Sequence, residues 1–162
     1  MSTSGKRLVL AGIGGFLAGA AAVAIAVAVA MPPLMIVRHE STLPFDETVA
    51  ALEQAIRDNG WASPGTMDLN KAMAKHGVRF EPRVRLIKLC KASYAARVLQ
   101  DHRDLAALMP CTLAVYEADD GKVYISKMNT GLMGKLFGGT VAEVMGGSVS
   151  AEEAEILEAV TQ

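Results

Sequence analysis

The chain has 162 residues, room for one domain and little more. Its 16 Lys and Arg against 17 Asp and Glu leave a formal charge of −1, which argues against a basic nucleic-acid binder. Two cysteines exclude a disulfide-rich scaffold and a four-cysteine zinc site.

Hydrophobic residues make up 51% of the chain and crowd its start. From Leu8 to Met31 run 24 residues with no charged or polar side chain. About 20 apolar residues in a helix suffice to cross a hydrocarbon core roughly 30 Å thick. The reading is a transmembrane signal anchor over 8–31 behind a cytoplasmic tail, 1–7. A cleaved secretory signal is the competing reading, since Ala28-Val29-Ala30 offers a small-x-small site. Lys6 and Arg7 keep the tail inside by the positive-inside bias, so the remainder is expected in the periplasm of a bacterial inner membrane. Nine of the 24 positions are Ala and four are Gly. Gly14, Ala18, Ala22 and Ala26 form one small-residue ridge, and Gly15 and Gly19 belong to its neighbour. Such ridges let helices approach closely in lipid, and point to packing on itself or on an integral-membrane partner.

Pro32-Pro33 is expected to end the helix, and Leu34 to Val37 to form a strand. Thr42 or a neighbour would cap the next helix, with Pro44 in its first turn. Phe45, Val49, Leu52 and Ile56 keep the spacing of a core-facing stripe that Gly60 closes. Ser63-Pro64-Gly65 reads as a turn, and 69–76 as a short helix before Gly77. Strands follow at Val84–Cys90, Cys111–Glu117 and Val123–Lys127, with a hairpin at Asp119-Asp120-Gly121. Between them Ala92 to Leu108 is helix-permissive, with a break near Asp101.

Residues 129–162 form an apolar, Gly- and Met-rich stretch. Leu132, Met133, Leu136, Phe137 and Val141 keep helical spacing up to Gly146-Gly147. That face is either core or a surface for a partner or the membrane. Ser150-Ala-Glu-Glu153 reads as a capping box opening a last helix. The fold class is therefore α+β: a small antiparallel sheet with helices on one face, preceded by one transmembrane helix. The domain spans 34–128 and the tail 129–162.

Thr48-Val-Ala-Ala-Leu-Glu-Gln-Ala-Ile56 with Asn59-Gly60, Lys88-Leu-Cys-Lys91 with Ala95, and Met109-Pro-Cys-Thr-Leu-Ala-Val-Tyr-Glu117 together resemble the bacterial family labelled "domain of unknown function 302". The Leu108-Met-Pro-Cys111 strand entry is the most specific piece, and the resemblance covers roughly 34–128. It implies a compact α+β domain, often dimeric, and brings no established enzymatic activity.

Candidate chemistry rests on sulfur. Cys90 ends one strand and Cys111 begins another; antiparallel neighbours would bring them together. Four readings stand: a disulfide worth roughly 3 kcal/mol, two buried thiols, a metal or haem site, or a redox pair. Met109 and Met128 are the accompanying soft-ligand candidates for copper or haem among nine methionines. Methionine is equally a gap-filler of apolar cores. Lys88, Lys91, Arg97 and Arg103 offer a modest basic face. No phosphate loop, nucleophile elbow or carboxylate pair appears. The expectation is no enzyme and no obligatory cofactor. The chain reads as an accessory subunit of a larger respiratory or photosynthetic membrane complex, contacting lipid and either a protein partner or a second copy. Metal or haem binding and thiol redox chemistry are the alternatives.

Overall fold

The computed structural model describes residues 3–161, and the side chains of these except 3–14, 17, 18 and 32. The chain divides into two compact units, Met1–Met35 and Ile36–Gln162. The first is helix α1 (Thr3–Met35), which runs through Pro32-Pro33 rather than ending there. Proline's fixed φ is itself helical, and the lost bonds fall on the last turns. Among the described residues no helix is long and apolar enough to cross a membrane. Gly14 and Ala18 of the small-residue ridges lie outside the described side chains. Ala22 and Ala26 are exposed, and a Cβ added at Gly15 or Gly19 would meet nothing within 4 Å.

The second unit is built on a five-stranded antiparallel sheet of order β1-β5-β4-β3-β2. The strands are β1 (Ile36–Glu40), β2 (Ala62–Asp68), β3 (Val84–Cys90), β4 (Cys111–Glu117) and β5 (Val123–Met128). Strands β3 and β4 fall where the sequence places them, and β5 runs one residue further. The hairpin between β4 and β5 turns at Gly121, with φ of 77°. β1 starts at Ile36, two residues later than expected, because α1 takes Leu34 and Met35 and Ile36 pairs with Met128.

Strand β2 replaces the expected turn at Ser63-Pro64-Gly65. Its register shifts between Ala62 and Gly65, so Pro64 sits in an irregularity of an edge strand. There its missing N–H breaks no ladder bond.

Strand alternation sorts the sheet into two faces. Ile87, Leu89, Leu113, Val115 and Ile125 share the core face by register and are fully buried or nearly so. Helix α2 (Phe45–Asp58) lays Phe45, Leu52 and Ile56 into the same core and packs on β2, β3 and β4. Full burial of such a side chain contributes roughly 1.5–3 kcal/mol. Pro44 stands at the N-cap position, and no side chain caps α2. Thr42 is drawn elsewhere: its backbone N–H donates to the Val160 carbonyl at 2.8 Å and its hydroxyl at 3.2 Å. Helix α3 (Leu69–Ala74) is capped by Asp68, and α4 (Ala92–Asp101) gives way to a 3-10 turn (Arg103–Leu108), the break anticipated near Asp101.

The C-terminal stretch differs most from expectation. Helix α5 (Thr130–Phe137) stops at Gly138 and Gly139, whose φ values of 68° and 49° reverse the chain. A turn of helix α6 (Gly139–Val141), a π-helix (Ala142–Val149) and α7 (Ser150–Thr161) then run on without a break. Gly146 and Gly147 lie inside the π-helix instead of ending a helix. Ser150 is helical, so it opens no capping box, and Glu153 turns inward. The stretch belongs to the same compact unit as the sheet, with α7 packed on α2. Glycine is required where α5 crosses the π-helix. A Cβ on Gly134 would lie 2.6 Å from the Gly146 Cα.

Candidate functional site

The start of β4, the end of β5 and the start of β1 meet at one end of the sheet. A cleft of about 260 Å³ opens there. Ile36, Leu108, Pro110, Met128 and Met145 give it apolar walls. Its polar end is a buried trio. Lys127 lies on the core face of β5, opposite Leu113 and Val37. Its Nζ donates to Glu153 Oε2 at 2.7 Å, and the Thr130 hydroxyl donates to the same oxygen at 3.0 Å. The Lys127 and Glu153 side chains are 9% and 3% exposed. Asn129 fixes the start of α5, its side chain accepting from the Leu132 N–H at 3.0 Å. Among the described residues no buried side-chain nitrogen or oxygen lacks a partner. His39 shares that sheet face; burial, then the Lys127 charge, holds its pKa below the usual value.

Cys111 also lines the cleft. Burial pushes its thiol pKa up to about 12, with Glu153 and Cys90 adding to the rise and Lys127 opposing it. The thiolate is the reactive form, so the raised pKa lowers the reactivity of Cys111 at neutral pH. In the folded chain at pH 7.5, N-ethylmaleimide should leave Cys111 unmodified under conditions that label it fully in urea. Peptide mapping reads the difference, and rapid native labelling would refute the burial argument.

The strands carrying Cys90 and Cys111 are antiparallel neighbours, the condition on which the sequence made their meeting depend, and both thiols are free. Register places Leu89 opposite Cys111, so alternation turns Cys90 toward the other face. Even so, both cysteines line a second, small cavity together with Met109 and Met145, under Trp61 and Tyr94. Met128 lines the larger cleft instead. Among the described residues, no group of three His, Cys, Asp or Glu is arranged to hold a metal.

A second polar cluster adjoins the small cavity. Glu152 accepts from Trp61 Nε1 at 2.6 Å, Lys91 Nζ at 2.7 Å and the Tyr94 hydroxyl at 2.5 Å. Desolvation pushes the carboxyl up, but these three bonds and the Lys91 charge outweigh it and hold the pKa below the usual glutamate range. The unfolded chain therefore takes up this proton first as pH falls. The stabilisation is fully present above about pH 4.3 and is lost as pH drops through the lower folded value. Glu152→Gln should flatten that part of the acid-unfolding curve; an unchanged curve would remove Glu152 from the account.

The apolar tail face divides. Met133 and Val141 are buried, Leu132 is half-buried, and Leu136 and Phe137 are exposed. The basic face is not a free patch. Lys88 donates to Thr112, Lys91 to Glu152, and Arg97 pairs with Glu143.

Lys127, Thr130, Glu152 and Glu153 escaped the sequence reading. One signal was present for Lys127: it shares the inward parity of Val123 and Ile125. Nothing local marks its partner 26 residues on.

An antiparallel five-stranded sheet with a helical core layer and a C-terminal helical hairpin defines an α+β domain. The chain belongs to the family described as "Domain of unknown function DUF302", whose model matches residues 37–160. The match extends past 128 to take in the C-terminal hairpin. The fold is similar to the crystal structure of an uncharacterized conserved DUF302 protein from Bacillus stearothermophilus, with a TM-score of 0.68 and 17% identity. That likeness covers 78% of this chain and 98% of the other. No curated protein matches the chain.

Proposed function

We propose that the protein is a non-catalytic, membrane-anchored binding protein. Residues 8–31 cross the bacterial inner membrane, and the domain beyond Ile36 holds a small apolar ligand in the periplasm. The cleft carries this reading. An apolar cavity of about 150 Å³ accepts benzene. One of about 260 Å³ suits a one- or two-ring molecule. The trio at its polar end is charge-balanced, so the fitting head group is neutral, a carbonyl or hydroxyl facing Lys127. The uncharged run Leu8–Met31 supports the anchor. The small-residue ridges that include Gly14, Ala18, Ala22 and Ala26, and Gly15 and Gly19, support a role as accessory subunit of a larger respiratory or photosynthetic complex. The raised pKa of the Cys111 thiol speaks against redox catalysis.

The test uses the full chain in bacterial membranes. Under the proposal the chain resists carbonate extraction, and gentle detergent recovers it with an integral-membrane partner. The purified chain then binds 1-naphthol saturably, one per chain, and Ala114→Phe, which fills the cleft wall, abolishes that binding. Release by carbonate overturns the anchor. Recovery alone or as a homodimer overturns the subunit role. Non-saturable binding, or binding indifferent to Ala114→Phe, overturns the ligand site.

A further inference from the structure

Lys127 combines deep burial with open space beside it. Its side chain is 9% exposed, and it lines the cleft of about 260 Å³ together with Glu153 and Thr130. Lys71 and Lys122 stand in solvent instead, 82% and 53% exposed. Lys91 is also tied to a glutamate, but the cavity beside it holds only about 20 Å³, no room for an organic guest. Lys127 Nζ lies 2.7 Å from Glu153 Oε2, an oxygen that also accepts from the Thr130 hydroxyl at 3.0 Å. An amine therefore stands at an apolar-walled space with a proton acceptor in hydrogen-bond contact. A lysine in such a pocket is a nucleophile for carbonyl carbon, and an adjacent base activates it.

We propose that Lys127 captures small apolar aldehydes as a reversible Schiff base in the cleft. The inference rests on the ligand reading above and adds a covalent bond to a carbonyl guest. The ring lies against Ile36, Leu108, Met128 and Met145, and the carbonyl carbon meets Nζ. The Lys127 ammonium first gives one proton to Glu153 Oε2, 2.7 Å away. The freed lone pair attacks the carbonyl carbon, a C–N bond forms, and the oxygen takes a proton from nitrogen. Glu153 then returns its proton to that hydroxyl, the C–O bond breaks and water leaves. The product is an iminium ion, so the positive charge stays opposite the Glu153 carboxylate. One aldehyde is consumed and one water released, and nothing is oxidised or reduced. Apolar walls slow the return of water, which favours the captured state over its hydrolysis.

The experiment incubates the purified full-length chain at neutral pH with 1-naphthaldehyde and sodium cyanoborohydride, which reduces an imine to a stable secondary amine. Intact mass should show one dominant adduct per chain, and peptide mapping should place it on Lys127. Labelling there should outpace that of Lys71 and Lys122 by roughly tenfold or more, because the cleft holds the aldehyde against the amine. Excess 1-naphthol, which has the same rings and no carbonyl, should compete. Ala114→Phe should abolish the Lys127 adduct while Lys71 and Lys122 still react slowly. Lys127→Met with Glu153→Leu should lose the selective adduct and keep a cooperative unfolding transition. Adducts spread evenly over the exposed lysines overturn the proposal, as does a Lys127 adduct indifferent to Ala114→Phe. Saturable 1-naphthol binding without a Lys127 adduct overturns the covalent site alone. Absence of both overturns the ligand cleft with it.

Discussion

Replacing Glu153 by Ala should destabilise the domain by about 3–5 kcal/mol, roughly 10–20 °C in Tm. The reason is what the substitution leaves behind. Lys127 is 9% exposed on the core face of β5, and Glu153 is its counter-charge. Without the carboxylate an ammonium stays buried with no partner of opposite sign, and the Thr130 hydroxyl loses its acceptor. A buried pair is costly to desolvate, so its removal as a unit is a different experiment. The double variant Lys127→Met with Glu153→Leu should retain most of the stability that Glu153→Ala loses. Chemical denaturation of the three proteins decides it. Equal losses in single and double variants would mean that packing, not the uncompensated charge, is at stake.

Gly134→Ala should cost about 3 kcal/mol, the upper part of the range for overpacking. The new Cβ would stand 2.6 Å from Gly146 Cα and 2.8 Å from Gly146 N. Both are backbone atoms of the π-helix and cannot swing aside. Gly146→Ala should cost less, since its nearest neighbour is 3.2 Å away. Gly131→Ala should be neutral or stabilising by up to about 1 kcal/mol, because its contacts lie at ordinary 3.5 Å distances and alanine favours helix. Thermal unfolding should rank the variants in that order. A tolerated Gly134→Ala would mean that the two helices separate at little cost.

The legible parts of this fold are those whose signal is local. The stripe Phe45, Val49, Leu52 and Ile56 appears as a helix facing the core, and β3 and β4 are bounded as their sequence bounds them. β2 was illegible because Pro64 and Gly65 carry turn chemistry, while pairing with β3 overrides it. The glycines near the C-terminus misled differently. Gly146 serves a close crossing with a residue twelve positions earlier, not a helix end. Of the candidate residues, Cys90, Met109 and Cys111 were found from sulfur chemistry and do come together, whereas Met145 was hidden within an apolar run. The ionic trio was invisible because Lys127 and Glu153 look, one at a time, like solvated surface charges.

Glu152 and Glu153 are neighbours in the chain, yet an α-helix turns about 100° between them. One is held by Trp61, Lys91 and Tyr94, the other by Lys127 and Thr130. The first turn of α7 is thus keyed in two slots at once, and rolling it to relieve one clamp would break the other. Its far end is fastened too, where the Val160 carbonyl accepts from Thr42. The same turn of helix thus carries both clamps, and a change that displaces one carboxylate is transmitted to the other through a single rotation of α7.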